Sequence, residues 1–320
     1  WTLTAADVSS KVSCGESSNM LDRGKVGGIL EQCCEQIRIA MFNGIAVELP
    51  FLKHILRSLK WVPIPAAREF LNTQPTTVEY SAKVFENSRS SSKTANIFME
   101  ILAEAEKDRN ALSELVLVRE ARTPTVAGSE TTATTLTFVI WRILSRPRLH
   151  KQLLGELQEK LPADCPDAEL EWLPLMNAMI RATLRLYGAA PGTLPRNPPP
   201  SGATFGNVYL PEGTVVSTQA WSTHRDPAVW EKPGEFDETR WLPGAELTDA
   251  VKSSFSEFGI GSRMCLGMRI AEMQLRMGTA AFFRSFPSAR LASCTTKESM
   301  RPAKYFVIKP KANHCNAVLT

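Results

Sequence analysis

The sequence predicts a mainly α-helical fold with small β-sheets, and three observations carry that expectation. Up to Tyr187, apolar residues recur in most segments at three- to four-residue steps, the spacing that lines one face of a helix. Beyond the proline-rich stretch from Pro191 to Pro200, short runs bounded by Pro and Gly turns replace that period. No repeat, low-complexity tract or linker divides the 320 residues, and 43% apolar composition is enough to bury a large core.

Taken in order, residues 1 to 48 read as two helices with a glycine-rich break near Gly24 to Gly28, with Ile29, Ile37, Met41, Phe42 and Ile45 in helical register. Pro50 to Trp61 sets Leu52, Ile55, Leu56 and Leu59 against Lys53, Arg57 and Lys60, an amphipathic helix suited to its own domain or to a membrane surface. Residues 81 to 145 read as helical again. Their second half is unusual, because Gly128 and the threonines 131, 132, 134, 135 and 137 are poor helix formers inside an apolar run. Such a run makes sense where hydroxyls and backbone are wanted at a buried point. Ser145-Arg146-Pro147 stops that helix, Leu149 to Leu161 forms the next, and Asn177 to Tyr187 a short one closed by Gly188. Ala203 to Leu210 and Thr214 to Thr218 read as strands around the turn Pro211-Glu212-Gly213. Residues 225 to 257 lack a period and must be pinned by specific contacts. A long helix to about Phe286 and a strand over 305–310 complete the chain.

Composition narrows the function. A formal charge of +4, without basic blocks or interleaved aromatics, gives no nucleic-acid footprint. Seven scattered cysteines without C-x-x-C spacing fit a reducing compartment better than a disulfide framework. The chain opens on Trp1-Thr2-Leu3-Thr4 with neither a start methionine nor a run of eighteen apolar residues, which reads as a piece of a longer protein.

The chemistry concentrates in Phe-Gly-Ile-Gly-Ser-Arg-Met-Cys-Leu-Gly, residues 258 to 267, ahead of a predicted helix. There Cys265 meets free amide N–H groups and a positive dipole end, which favour a thiolate. Gly259, Gly261 and Gly267 allow positive φ or close approach of a ligand, and Arg263 adds a cation two residues before the sulfur. The plain alternative is a structural cysteine after a glycine-rich turn.

These ten residues resemble the F-x-x-G-x-R-x-C-x-G pattern of the cytochrome P450 haem-thiolate monooxygenases through Phe258, Gly261, Arg263, Cys265 and Gly267. Five such fixed positions arise by chance with a probability on the order of 10⁻⁴ or less in a chain of this length. The resemblance, closest to fungal and microsomal members, implies the cytochrome P450 fold, here lacking its N-terminal anchor and first helices, so that residues 1–320 form a partial catalytic domain. It implies haem b held by Cys265. Ala127-Gly128-Ser129-Glu130-Thr131-Thr132 matches the family's A-G-x-[DE]-T-[TS] helix motif, which implies that Gly128 leaves room for dioxygen while Glu130 and Thr131 pass protons. Arg196 and Arg263 resemble the arginines that meet haem propionates. Pro233, Phe236, Arg240 and Trp241 match P-x-x-F-x-x-x-R-W, and His224-Arg225-Asp226-Pro227 fits before it.

Three departures weaken the match. The family's E-x-x-R falls on Ala182-Thr183-Leu184-Arg185, so the arginine is present and the carboxylate is not. Pro124 stands in the long helix, a defect of roughly 3 kcal/mol, and Arg122 adds a charge where substrate is usually met.

The resemblance further implies an NADPH-cytochrome P450 reductase as electron donor, docking near Arg263 and Arg269, since no nucleotide-binding G-x-G-x-x-G follows a strand. The expected substrate is a hydrophobic small molecule, bounded by Val126, Ala127, Ala189, Ala190, Thr193 and the tip near Asn313. For the full-length protein the resemblance implies the cytosolic face of the endoplasmic reticulum membrane, with membrane-surface contact near residues 50–62. Two alternatives stay open: a haem-thiolate isomerase or dehydratase acting on hydroperoxides, and a truncated or degenerate homologue without catalysis.

Overall fold

A computed structural model of the chain describes residues 1–25, 82, 86, 96–97, 100, 103–104, 107, 116, 123–160, 165–303 and 307–319. It falls into two compact units, Trp1–Ala133 and Thr134–Thr320. The amphipathic 50–61 segment and Arg122 lie outside the described residues. So do residues 117–122, on which the defect expected at Pro124 depends.

In the first unit, α1 (Thr2–Cys14) ends where Gly15 takes the left-handed conformation, φ 81°, and donates its N–H to the Lys11 carbonyl. A single turn, α2 (Met20–Arg23), follows and closes on Gly24 at φ 65°. The carboxylate of Asp7 accepts the N–H groups of Met20 at 2.9 Å and Leu21 at 2.8 Å, satisfying two donors at the start of α2. A helical turn thus ends at Gly24, where the break was expected, and Gly15 supplies a further αL stop ahead of it. The helix α3 (Thr123–Leu144) has its first part in this unit.

The second unit holds the main core. Helix α3 stops at Leu144, and Pro147 opens α4 (Pro147–Lys160) at the one helical position where a missing N–H is harmless. The single-turn α5 (Asp167–Leu170) and α6 (Pro174–Tyr187) follow, and the long α9 (Met268–Ser285) packs across them. Val139, Ile143, Leu153, Met176, Met179, Leu275 and Phe283 are buried at their junction. Gly278 lets Leu136 approach α9 closely: an added Cβ there would stand 3.0 Å from the leucine methyl. Two buried ionic anchors fix the helices. Glu156 accepts the N–H groups of Leu175 and Met176, each at 2.9 Å, at the positive start of α6. Arg276 forks onto Asp167 at 2.7 and 2.5 Å and reaches Glu171 at 3.0 Å, tying α9 to α5.

The described sheets are four antiparallel pairs. Strand β1 (Thr193–Arg196) pairs with β4 (Val216–Gln219), with Thr193 opposite Gln219. Between them, β2 (Ala203–Phe205) and β3 (Val208–Leu210) form a hairpin. The single strand expected over 203–210 is thus folded back on itself, because Gly206 at φ 58° and Asn207 make the turn. Strands β5 (Arg290–Leu291) and β8 (Ala317–Val318) pair, as do β6 (Pro302–Ala303) and β7 (Lys309–Pro310). Of the strand expected over 305–310, residues 307–310 are described, and only Lys309–Pro310 pair as a strand, Val307 and Ile308 being irregular. The aperiodic 225–257 region follows the single turn α7 (Ala220–Thr223). It contains a 3₁₀ turn at Thr239–Trp241 and the short α8 (Asp249–Ser254), whose N-terminal N–H is capped by Thr248.

Candidate functional site

The cysteine loop is shaped by its own backbone. Gly259 and Gly261 stand at φ 77° and 76°, the left-handed region that costs other residues roughly 1–2 kcal/mol. The chain then closes on itself: the Cys265 N–H donates to the Phe258 carbonyl at 2.8 Å and the Met264 N–H to the Gly261 carbonyl at 3.0 Å. Gly267 caps α9 at φ −83°, and a Cβ there would make only ordinary contact with the cysteine sulfur. Its glycine identity is not demanded by the local backbone, unlike that of Gly259 and Gly261. Phe258 is half-buried against the core and anchors the loop.

Cys265 itself is exposed, ringed by apolar side chains that are exposed too: Ile260 at 60%, Met264 at 44% and Leu266 at 100%. A thiol set in such an apolar rim fits a flat, largely apolar group lying over the loop. Strand β1 flanks it, since the Leu194 side chain comes within 3.9 Å of where a Gly259 Cβ would be. Arg196, two residues on, shares that face of the strand. Arg196 and Arg263 are both exposed cations, available to acidic groups on the edge of such a ligand.

Behind the loop lies a polar clamp. His224 is 2% exposed; its Nε2 accepts the Ser256 N–H at 2.9 Å, so its Nδ1 carries the proton toward the Arg185 carbonyl at 3.1 Å. The ring thus ties the end of α6 to the residues that enter the cysteine loop. Burial lowers its pKa to about 4, with Arg185 and Arg225 adding to the shift. Burial acts in the opposite direction on Glu257, pushing it up to about 7, with Glu272 adding and Arg181 opposing. Arg185, 1% exposed, donates to the carbonyls of His224 at 2.8 Å, Pro233 at 2.7 Å and Glu235 at 2.5 Å, and stacks on Trp230. Burial and the nearby Arg240 and Arg225 bring its pKa down to about 10. Arg225 donates to the Leu186 carbonyl, and Arg240 faces the Asp237 carboxylate at 3.1 Å. These contacts pin the aperiodic region. At Ala182, 1% exposed, no carboxylate is available, and three backbone carbonyls together with Asp237 do the work expected of one.

The threonine-rich motif lies on the first unit's part of α3. Thr131 donates its hydroxyl to the Ala127 carbonyl at 2.6 Å, and Glu130 is half-buried. Gly128 faces Ser9 of α1, whose side chain would collide with any added Cβ. The close approach that glycine permits here is between two helices. Of the expected substrate-facing residues, Val126 and Ala189 are buried, while Ala127, Ala190, Thr193 and Asn313 are exposed. His224 and Glu257 were assigned no role from sequence; the H-R-D-P string was the available signal for the first, and nothing marked the second.

The loop presents one thiol at the start of a long helix, within an apolar rim, on a mainly helical fold with small antiparallel sheets. The family description for cytochrome P450 matches residues 2–316, and the chain belongs to that family. It is 42% identical over 79% of its length to the cytochrome P450 monooxygenase aflV of Aspergillus parasiticus, of which it spans 51%. It is 33% identical over its whole length to the cytochrome P450 monooxygenase stcB of Emericella nidulans, of which it spans 61%. The chain therefore covers about half to three-fifths of these curated relatives. Among solved structures, the haem domain of cytochrome P450DA superposes with a TM-score of 0.78 at 18% identity, covering all of this chain and 67% of that one; this shows the fold.

Proposed function

We propose that the protein of which this chain is part is a haem-thiolate monooxygenase that inserts one oxygen atom into a hydrophobic small molecule. The observation that carries the reading is the exposed Cys265 thiol, fixed by two positive-φ glycines and rimmed by Ile260, Met264 and Leu266. Haem b bound through that sulfur supplies dioxygen activation, favoured by electron donation from the thiolate. The chain's own residues divide the remaining tasks. Phe258, Gly261 and the clamp through His224 hold the sulfur in place, while Arg196 and Arg263 take the acidic edge of the group. Glu130 and Thr131 hold protons on the threonine-rich helix, and the small apolar residues near Ala189 favour an apolar substrate.

Electrons come, in this reading, from a separate NADPH-dependent reductase docking over Arg263 and Arg269; reversing those charges should slow electron transfer. Among the described residues no helix is long and apolar enough to cross a membrane, so placement on the endoplasmic reticulum rests on the wider family. A second reading, a non-catalytic homologue, draws on Ala182 standing where the family has a carboxylate and on Pro124. One experiment addresses both. The reduced full-length protein with carbon monoxide should give the strongly red-shifted Soret band of sulfur ligation, and Cys265→Ala should abolish it. A histidine-type band in the parent protein sinks the ligand assignment, and a protein that takes up no haem supports the second reading.

A further inference from the structure

Around Gly234 to Asp237 the second unit carries more buried positive charge than it neutralises. Arg185 lies on one side of this segment, bonded to its carbonyls. Arg142 and Arg146 meet it through Phe236, each with its guanidinium carbon 4.7 Å from the ring centroid. Nε of Arg185, Nε of Arg142 and Nη1 of Arg146 are buried, with no hydrogen-bond acceptor among the described residues. Leaving a charged N–H without an acceptor is expensive, so native proteins retain such groups chiefly where something beyond the side chains completes them.

Space for that something adjoins two of the three. A cavity of about 680 Å³ is walled by Arg142, Arg146 and Phe236 on one side and by Lys297 and Arg301 on the other. Four cations line it against two carboxylates, Glu235 and Glu298, an excess of two positive charges. Glu298 is already engaged by Lys311 at 2.5 Å and Arg301 at 3.6 Å, and Glu238 lies within electrostatic reach of Arg142. The volume is far larger than a monatomic ion needs and falls in the range of small-molecule sites. Guanidinium pairs match phosphate oxygens by geometry as well as by charge. None of these residues belongs to the cysteine loop.

We propose that this cavity binds a multiply charged phosphate group, that of a phosphoester or diphosphate, through Arg142, Arg146, Lys297 and Arg301. The group arrives either on a soluble molecule or as the headgroup of an anionic phospholipid. The test uses the full-length haem protein and the double variant Lys297→Glu, Arg301→Glu, whose side chains are exposed and leave Arg142 and its aromatic contacts in place. Inorganic diphosphate, compared with sodium chloride at equal ionic strength, should raise the unfolding temperature saturably. In the double variant the apparent affinity should fall at least tenfold. In parallel, co-sedimentation is measured with vesicles of phosphatidylcholine with and without phosphatidic acid. A diphosphate shift lost in the variant assigns a soluble ligand; retention on phosphatidic acid vesicles lost in the variant, without a diphosphate shift, assigns the headgroup. If neither probe acts, or if the variant responds as the parent does, the proposal is overturned.

Discussion

Thr131 shows how far a single residue can be read. Its hydroxyl donates to the Ala127 carbonyl at 2.6 Å, four residues back in the same helix. Thr131→Ala should therefore leave folding almost unchanged while the peroxide released per NADPH oxidised rises several-fold, and Thr131→Ser should restore the parent ratio; an unchanged ratio in the alanine variant leaves only a packing role. The motif made this residue legible, because its spacing is a short string of letters. Cys265, Gly261 and Arg263 were legible for the same reason, and the φ of Gly261 agrees with what the sequence required of it. Gly128 was less so: the letters say that something comes close, and only the fold says that it is Ser9. His224 and Glu257 could not be weighted from sequence, since the meaning of each depends on burial, and that of His224 on partners 32 and 39 residues distant in the chain.

At the scale of elements, periodicity located α4, α6 and α9 because each buries one face over several turns, whereas α3, buried almost all round from Thr132 to Leu144, showed itself as a long apolar run. It missed α5, α7 and α8, which are too short to show a period, and it ran β2 and β3 together across the Gly206-Asn207 turn. The junction of α6 with the aperiodic region carries a prediction. The family's E-x-x-R pattern places at position 182 a carboxylate shared by Arg185 and Arg240. Instead Arg185 donates to three carbonyls, and Arg240 pairs with Asp237 and donates to the Glu231 carbonyl. Removing the cation leaves those carbonyls buried, so Arg185→Met should cost roughly 3 kcal/mol or more in chemical denaturation, at one or more kcal/mol per orphaned acceptor. Ala182→Glu should raise the midpoint by less than that, since among the buried side-chain nitrogens of Arg185 and Arg240 only the two Nε atoms still lack a hydrogen-bond acceptor among the described residues. A gain from Ala182→Glu larger than the loss in Arg185→Met would show that the carbonyls do not substitute for the missing carboxylate.

Across the molecule, the buried His224 and the half-buried Glu257 behind the cysteine loop set opposing limits on stability. His224 binds its proton at about 4 when folded and near 6.5 when unfolded, so the unfolded chain takes up more protons in between, and stability falls as pH drops from 6.5 toward 4. A gap of this size amounts to about 3 kcal/mol once fully expressed. The folded pKa of Glu257 is raised to about 7, so the folded chain binds the extra proton, and its contribution is present below pH 4.5 and lost as pH rises through 7. The groups facing them are Arg185 and Arg225 at the histidine, and Arg181 and Glu272 at the glutamate. Protonating His224 also removes the acceptor for the Ser256 N–H, so acid should loosen the entry to the cysteine loop before the core of α3, α4, α6 and α9 gives way. Unfolding followed from pH 4 to 8 should show a flattened acid limb in His224→Gln, whose side-chain oxygen can still accept from Ser256, and a flattened alkaline limb in Glu257→Gln. The haem absorbance of the parent should be lost at a higher pH than its far-ultraviolet circular dichroism. If the two signals fall together and His224→Gln keeps the parent's acid limb, the clamp does not couple protonation to the loop.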